Sequence, residues 1–350
     1  MDDRSSAHLV MKDLLKLTRP GNLLIIAATM LLMRFGVIGG HLERGVQQLA
    51  AEIGVQRSEL ILPPQFGPQM PLLHFILLIL STVLVAAGGN VINDYFDTRI
   101  DRINKPGQVI VGRTVKRRVA MTAHAILSGL GLLLGAYVAW RSGLLKWAAI
   151  PAFAIGALWV YSTNFKRQLI IGNGLVATLT ALVPLTVGLY ELPLLQQAMD
   201  PLWVITGPSG DQYQMQPFYI ELWYWILGFA VFAFLSTLVR ELQKDMADVK
   251  GDEADGCRTL PIVWGMKWAR AIALVHIGLI IALLLLVRSQ FLRDPLSYWY
   301  IGIAVLGPLL LSAGFTYQAH QRNEFVRAGT LMKVAMVAAI CYALLIRFIP

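Results

Sequence analysis

Residues 71–101 read PLLHFILLILSTVLVAAGGNVINDYFDTRID. From Pro71 to Asn93 there is no Asp, Glu, Lys or Arg, and three aspartates follow at 94, 97 and 101. A helix rising 1.5 Å per residue crosses a hydrocarbon core of roughly 30 Å in about 20 residues. The stretch is therefore long enough to span a bilayer, and its acidic end belongs at a membrane surface.

The same pattern recurs along the chain. Apolar spans are expected at 21–40, 71–93, 119–140, 145–162, 170–190, 218–239, 268–288, 296–317 and 328–349. With 350 residues, 56% hydrophobic and 15% charged, and a mean hydropathy of +0.60, a single soluble core is excluded. The expected fold is all-α: a polytopic membrane bundle of about nine transmembrane helices, forming one transmembrane domain over 1–350. The first apolar stretch lacks a small-residue cleavage site and is followed by eight more, so it reads as a retained helix and not a secretory signal.

The net charge of +9 does not point to nucleic acid, because the basic residues lie in connections between spans. Of the 30 Lys and Arg, 22 fall in the N-terminal segment and the even-numbered connections, and eight on the other side. By the positive-inside rule the N-terminus and those connections face the cytoplasm, as expected for a protein of the cell inner or plasma membrane. Lys12 to Arg19, alternating basic and apolar ahead of Pro20, reads as an interfacial helix. Two polar insertions, 41–69 and 191–217, fall on the outer side; the second carries Pro193, Pro201, Pro208 and Pro217. Both are expected to form partly helical caps. Cys257 and Cys341 are far apart and lack metal-ligand spacing, so no disulfide framework or zinc site is expected.

Two connections on the cytoplasmic side echo one another. NVINDYFDTRID follows span two and RELQKDMADVKGD follows span six, both containing Asp-x-x-Asp-x-x-x-Asp: Asp94, Asp97 and Asp101, then Asp245, Asp248 and Asp252. At 100° per residue, Asn90, Asn93, Asp94, Asp97 and Asp101 occupy an arc of about 100°. Glu241, Asp245, Asp248 and Asp252 occupy about 60°. Like charges at i and i+4 destabilise a helix, so a compensating ligand is expected. Mg2+ takes carboxylate oxygens together with water and phosphate oxygens, and two such faces suit a diphosphate held between them. A solvated acidic loop is the competing reading for one cluster; two clusters of matched spacing argue against it.

NDYFDTRIDRINKP resembles the first signature of the UbiA superfamily of intramembrane prenyltransferases, and KDMADVKGDEADGCRTLP resembles its second. The likeness implies a laterally open nine-helix bundle that binds Mg2+ and an isoprenyl diphosphate and transfers the prenyl group to a lipid-soluble acceptor within membrane lipid. By this likeness Asn93, Asp94, Asp97 and Asp101, and Asp245, Asp248 and Asp252, are the catalytic set, the aspartates being metal ligands. Asn90, Lys105, Arg113, Lys244, Arg258 and Tyr161 are candidate substrate contacts, the basic ones toward diphosphate oxygens. The run RELQKDMADVKGDEADGCRTLPIVWG is similar to the branch acting on geranylgeranylglyceryl phosphate, for which Lys116, Arg117 or Arg118 would meet the acceptor phosphate. Aromatic acceptors of quinone biosynthesis are the alternative. The segment Gln108–Arg113 departs from the Pro-Ser-Gly turn common in the family.

Other residues leave two readings open. Tyr161 either lines the acceptor pocket or belongs to an interfacial aromatic belt, and Asn22 and Asn173 either cap helices or touch substrate. His74, His124 and His276 lie singly in apolar segments and read as packed, hydrogen-bonded residues. A cation transporter would place its carboxylates near the bilayer midplane; here they sit at span ends.

Overall fold

The computed structural model describes residues 3–198, 203–215 and 219–349. Among these, nine helices are long and apolar enough to cross a membrane. The amphipathic α1 (Asp3–Leu17) precedes them, with Leu17 buried against Val91, Val111, Val115 and Ala120 while Lys12 and Lys16 stay exposed. Arg19, at φ 55°, turns the chain into α2 (Pro20–Leu31), where proline at the helix start forfeits no intrahelical bond.

The first span differs from its expected end at residue 40. A π-helical stretch, Leu32–Ile38, carries it directly into α3 (Gly39–Ile53), so half of the first insertion is a continuation of the helix. Arg34, counted among the outer basic residues, lies inside the bundle instead: it pairs with Glu191 at 2.8 Å, donates to the Met70 carbonyl and stacks over Phe75. A buried arginine persists only with such compensation.

The next elements are α4 (Leu72–Phe96), α5 (Thr98–Asn104), α6 (Arg117–Arg141), α7 (Ala149–Thr163) and α8 (Ile171–Ala198). Small residues let α4 and α6 approach closely. A Cβ on Gly131 would lie 2.7 Å from Val85 Cγ2 and 3.0 Å from the Ser81 carbonyl oxygen. His124 belongs to this seam, its Nδ1 2.9 Å from the Gly88 carbonyl oxygen, and is a packing residue.

The second insertion contains β1 (Trp203–Thr206) paired antiparallel with β2 (Gln212–Met215), which the expectation of a partly helical cap missed. Trp203 and Ile205 are buried and Val204 is exposed, the period of two of a half-buried strand. Gly210, at φ 87°, serves the turn. Ile61 bridges Thr206 and the Phe66 ring meets Trp203 at 5.0 Å, so the two insertions pack together. Pro201 and Pro217 lie outside the described residues.

Then come α9 (Tyr219–Ala254), α10 (Leu260–Val263), α11 (Met266–Phe291), α12 (Pro295–Tyr300), α13 (Gly307–Gln318) and α14 (Arg322–Cys341), with a π-helical stretch, Ile301–Leu306, joining α12 to α13. The connection expected after span six is absent as a loop. Arg240 to Ala254 continues the same helix through Gly251, and the helix ends ahead of Gly256, whose φ is 72°. Helix α11 exposes Trp268, Val275, Leu279, Leu285 and Leu286. So much outward apolar surface suits lipid and not water.

Candidate active site

The first aspartate motif is not one unbroken helix, because α4 stops at Phe96 and α5 starts at Thr98. Its residues nonetheless stay stacked. Asp97 N–H donates to the Asn93 carbonyl (2.9 Å), Asp101 N–H to Asp97 (2.8 Å) and Lys105 N–H to Asp101 (2.7 Å), preserving the four-residue step through the kink. Asn93 Nδ2 donates to Asp97 Oδ2 at 2.7 Å, which fixes that carboxylate. Asn90 Nδ2 donates to the Thr18 carbonyl (2.8 Å), and Asp94 faces Arg19 at 2.5 Å, so both tie α4 to the segment ahead of the first span.

The second motif occupies one face of α9, and α5 is clamped against it. Asn104 Nδ2 donates to the Asp248 carbonyl and its Oδ1 accepts from Gly251 N–H, each at 3.0 Å. This clamp sets Lys105 Nζ 3.9 Å from both Asp101 and Asp248, one lysine spanning the two clusters. Asp248 also meets Arg322 of α14 at 3.4 Å, and Asp245 accepts from Asn173 of α8 at 2.8 Å. Asp252 is buried and, among the described residues, has no cation within 4 Å.

Lys166, between α7 and α8, forms an ion pair with Asp97. Burial works against its ammonium, but the charge and hydrogen bond of Asp97, with Tyr161 adding, leave its pKa raised. Burial likewise lifts the Asp101 carboxyl above the usual range, with Lys105 partly opposing. Cys257 is buried beside the second motif, and that burial, with Asp252 and Asp255 nearby, pushes its thiol up to about 11. It stays protonated at neutral pH and is no nucleophile.

Beneath this polar end lies a cavity of about 320 Å³ walled by α2, α4, α7, α8, α9 and α14. Asn90, Asn93, Arg19, Glu241 and Lys244 line its mouth; Leu78, Ile150, Thr186 and Tyr190 line its depth. From Asn93 down to Leu78, α4 descends about 22 Å at the helical rise. Tyr161 is buried in the cavity wall, not in an interfacial belt.

The structure thus brings together Asn93, Asp97, Asp101, Lys105, Asp245, Asp248 and Asp252, with Lys244 and Tyr161 at the cavity. Arg113 and Arg258 make no ion pair with an aspartate among the described residues. Arg113 is exposed beside Gly112, whose φ of 81° preserves a tight turn despite the altered sequence. Arg258 holds the Arg167 carbonyl through its backbone N–H. Sequence reasoning did not assign site roles to Arg19, Lys166 and Arg322, whose only signal was a basic residue flanking a span. No three acidic, histidine or cysteine side chains close a metal cage by themselves among the described residues. Aspartates from α4, α5 and α9 are the side chains that could hold Mg2+, which takes water and phosphate oxygens beside a few carboxylates.

Among the described residues the chain is a nine-span bundle with two facing aspartate motifs over an apolar cleft, the frame of an intramembrane enzyme. Residues 65–337 match the UbiA prenyltransferase family, and the chain belongs to that family: it is an integral membrane prenyltransferase. It is 30% identical over 301 residues to the digeranylgeranylglyceryl phosphate synthase of Methanopyrus kandleri, covering 83% of this chain and 94% of the relative. To that of Thermococcus sibiricus it is 28% identical over 277 residues, 78% of this chain and 83% of the relative. Among solved structures, one from work on digeranylgeranylglyceryl phosphate synthase in membranes superposes with a TM-score of 0.56 at 22% identity, covering 95% of this chain and 98% of the other. A UbiA homologue from Archaeoglobus fulgidus bound to GPP and Mg2+ gives 0.52 at 15%, covering 94% and 99%.

Proposed function

We propose that the chain transfers a geranylgeranyl group from its diphosphate to the free hydroxyl of geranylgeranylglyceryl phosphate. In this reading the polar end faces the cytoplasm and the 41–69 and 191–217 insertions face the other side. The observation that carries the reading is the pair of aspartate motifs bridged by Lys105 over an apolar cleft about 22 Å deep. That depth suits an isoprenoid tail of geranylgeranyl length, and the names of the relatives support the acceptor.

Asp97 and Asp101 on one side, and Asp245, Asp248 and Asp252 on the other, would hold Mg2+ through their carboxylate oxygens, with Asp94 held beside them by Arg19. Mg2+ held there would supply positive charge against that developing on the departing diphosphate. Lys105, Lys166 and Arg322 converge on the same region. They orient the diphosphate and donate charge-assisted hydrogen bonds to its oxygens as the bond to the allylic carbon breaks. The apolar walls hold the tail and exclude the water that would quench an allylic cation. The acceptor hydroxyl then forms the new C–O bond and loses its proton, with no covalent enzyme intermediate.

Asp97→Ala, Asp101→Ala, Asp245→Ala and Asp252→Ala are expected to abolish turnover while the protein still inserts. Near wild-type activity in all four would end the two-cluster account. Aromatic acceptors use the same diphosphate machinery, so the aspartates do not discriminate. The test of the acceptor is competition between geranylgeranylglyceryl phosphate and a hydroxybenzoate or dihydroxynaphthoate for limiting geranylgeranyl diphosphate. Exclusive prenylation of the ring would reject the acceptor and leave the transferase standing.

A further inference from the structure

Four cationic side chains line the cavity, and three of them are matched by carboxylates. Arg19 pairs with Asp94 at 2.5 Å, Arg240 with Glu241 at 2.7 Å and Lys244 with Glu241 at 3.5 Å. Lys333, on the cavity face of α14, is the exception among the described residues: no carboxylate lies within 4 Å, and its Nζ donates to the neutral Asn22 Oδ1 of α2 at 2.7 Å. It sits half-buried midway along α14, level with the start of α2 at Asn22. An ionisable residue there is costly and calls for a partner. An ammonium has three donors, and the Asn22 contact uses one.

The position also separates Lys333 from the diphosphate machinery. Arg240, which lines the same cavity, precedes Asp248 by eight residues on α9, about 12 Å along the axis. Lys105, Lys166 and Arg322 serve the aspartate end; Lys333, Arg240 and Asn22 form a second basic group at the cavity, bridging α14 to α2. A reaction between two anionic lipids needs two anion sites, held apart so that the hydroxyl of one reaches the allylic carbon of the other.

We infer that Lys333, with Arg240 and Asn22 beside it, binds the anionic headgroup of the acceptor, which on the reading above is the phosphate of a prenylated glycerol phosphate. This replaces Lys116, Arg117 and Arg118 as the acceptor contact. Those three are exposed and do not line the cavity, and Arg117 stacks on the Tyr95 ring at 4.1 Å.

The test is steady-state kinetics of wild type, Lys333→Met and Lys333→Arg, varying each substrate in turn. Lys333→Met is expected to raise KM for geranylgeranylglyceryl phosphate about tenfold to a hundredfold, the loss of one charge-assisted hydrogen bond. KM for geranylgeranyl diphosphate stays within about twofold, the rate with phosphate-free geranylgeranylglycerol is unaltered, and Lys333→Arg recovers most of the loss. Equal rises in both KM values, or a rise in neither, overturn the assignment. A wild type that ignores geranylgeranylglyceryl phosphate and prenylates hydroxybenzoate defeats the acceptor reading separately. The Lys333 variants are then read on the hydroxybenzoate carboxylate, where an unchanged KM overturns the site and a raised KM upholds it.

Discussion

Replacing Gly251 by alanine should damage catalysis far more than stability. An added Cβ would lie 2.4 Å from Asn104 Nδ2 and 2.6 Å from its Cγ, so the Asn104 side chain must rotate away. That breaks its bonds to the Asp248 carbonyl and to Gly251 N–H, a loss of about 1–3 kcal/mol for two hydrogen bonds. Alanine returns about 1 kcal/mol of helix propensity, leaving a net cost of roughly 0–2 kcal/mol. The melting temperature should fall by no more than about 5 °C. Freed of its clamp, α5 carries Asp101 and Lys105 away from Asp248, and a displacement near 1 Å can cost about a hundredfold. A kcat loss of at least about tenfold is expected, read by pyrophosphate release alongside thermal unfolding in detergent. The pair should be strongly non-additive: with Asn104→Ala already present, Gly251→Ala adds no further loss. Wild-type turnover in Gly251→Ala, or additive losses in the double variant, would refute the clamp.

Lys166→Met removes the cation from Asp97 and should lower kcat by about tenfold or more with little change in acceptor KM, measured by steady-state rates. Tyr190→Ala opens the deep end of the cleft, where the tyrosine is nearly fully buried; mass analysis of products from a series of prenyl diphosphates should show longer tails accepted, and an unchanged length profile would place the floor elsewhere. Cys257 should resist iodoacetamide at neutral pH, its alkylation rate rising with pH toward about 11 as the thiolate forms.

The aspartate spacing was legible because a face of one helix is a local property: residues four apart stack whatever the chain does later. The spans were legible for the same reason, as runs of apolar residues. The convergence of Lys166 on Asp97, 69 residues away, and of Lys333 on Asn22, 311 residues away, leaves no local trace, since a lone lysine near a span reads equally as a topology signal. The segment after span six reads as a connection because it is charged, although its carboxylate spacing already fits one helix face and α9 does run on to Ala254. Arg240 to Ala254 is polar and includes Gly251 and three aspartates, yet the helix outlasts the apolar run. The hairpin at Trp203–Met215 was hidden by the prolines of a segment expected to form a partly helical cap, although Trp203 and Ile205 already alternate with Val204.

The most direct test of the account is product analysis with the purified protein, geranylgeranyl diphosphate and geranylgeranylglyceryl phosphate, with and without Mg2+. The account predicts equimolar digeranylgeranylglyceryl phosphate and pyrophosphate, both lost on chelation and restored by Mg2+. Full turnover in the presence of chelator, or pyrophosphate released with no ether product from any acceptor offered, would contradict it.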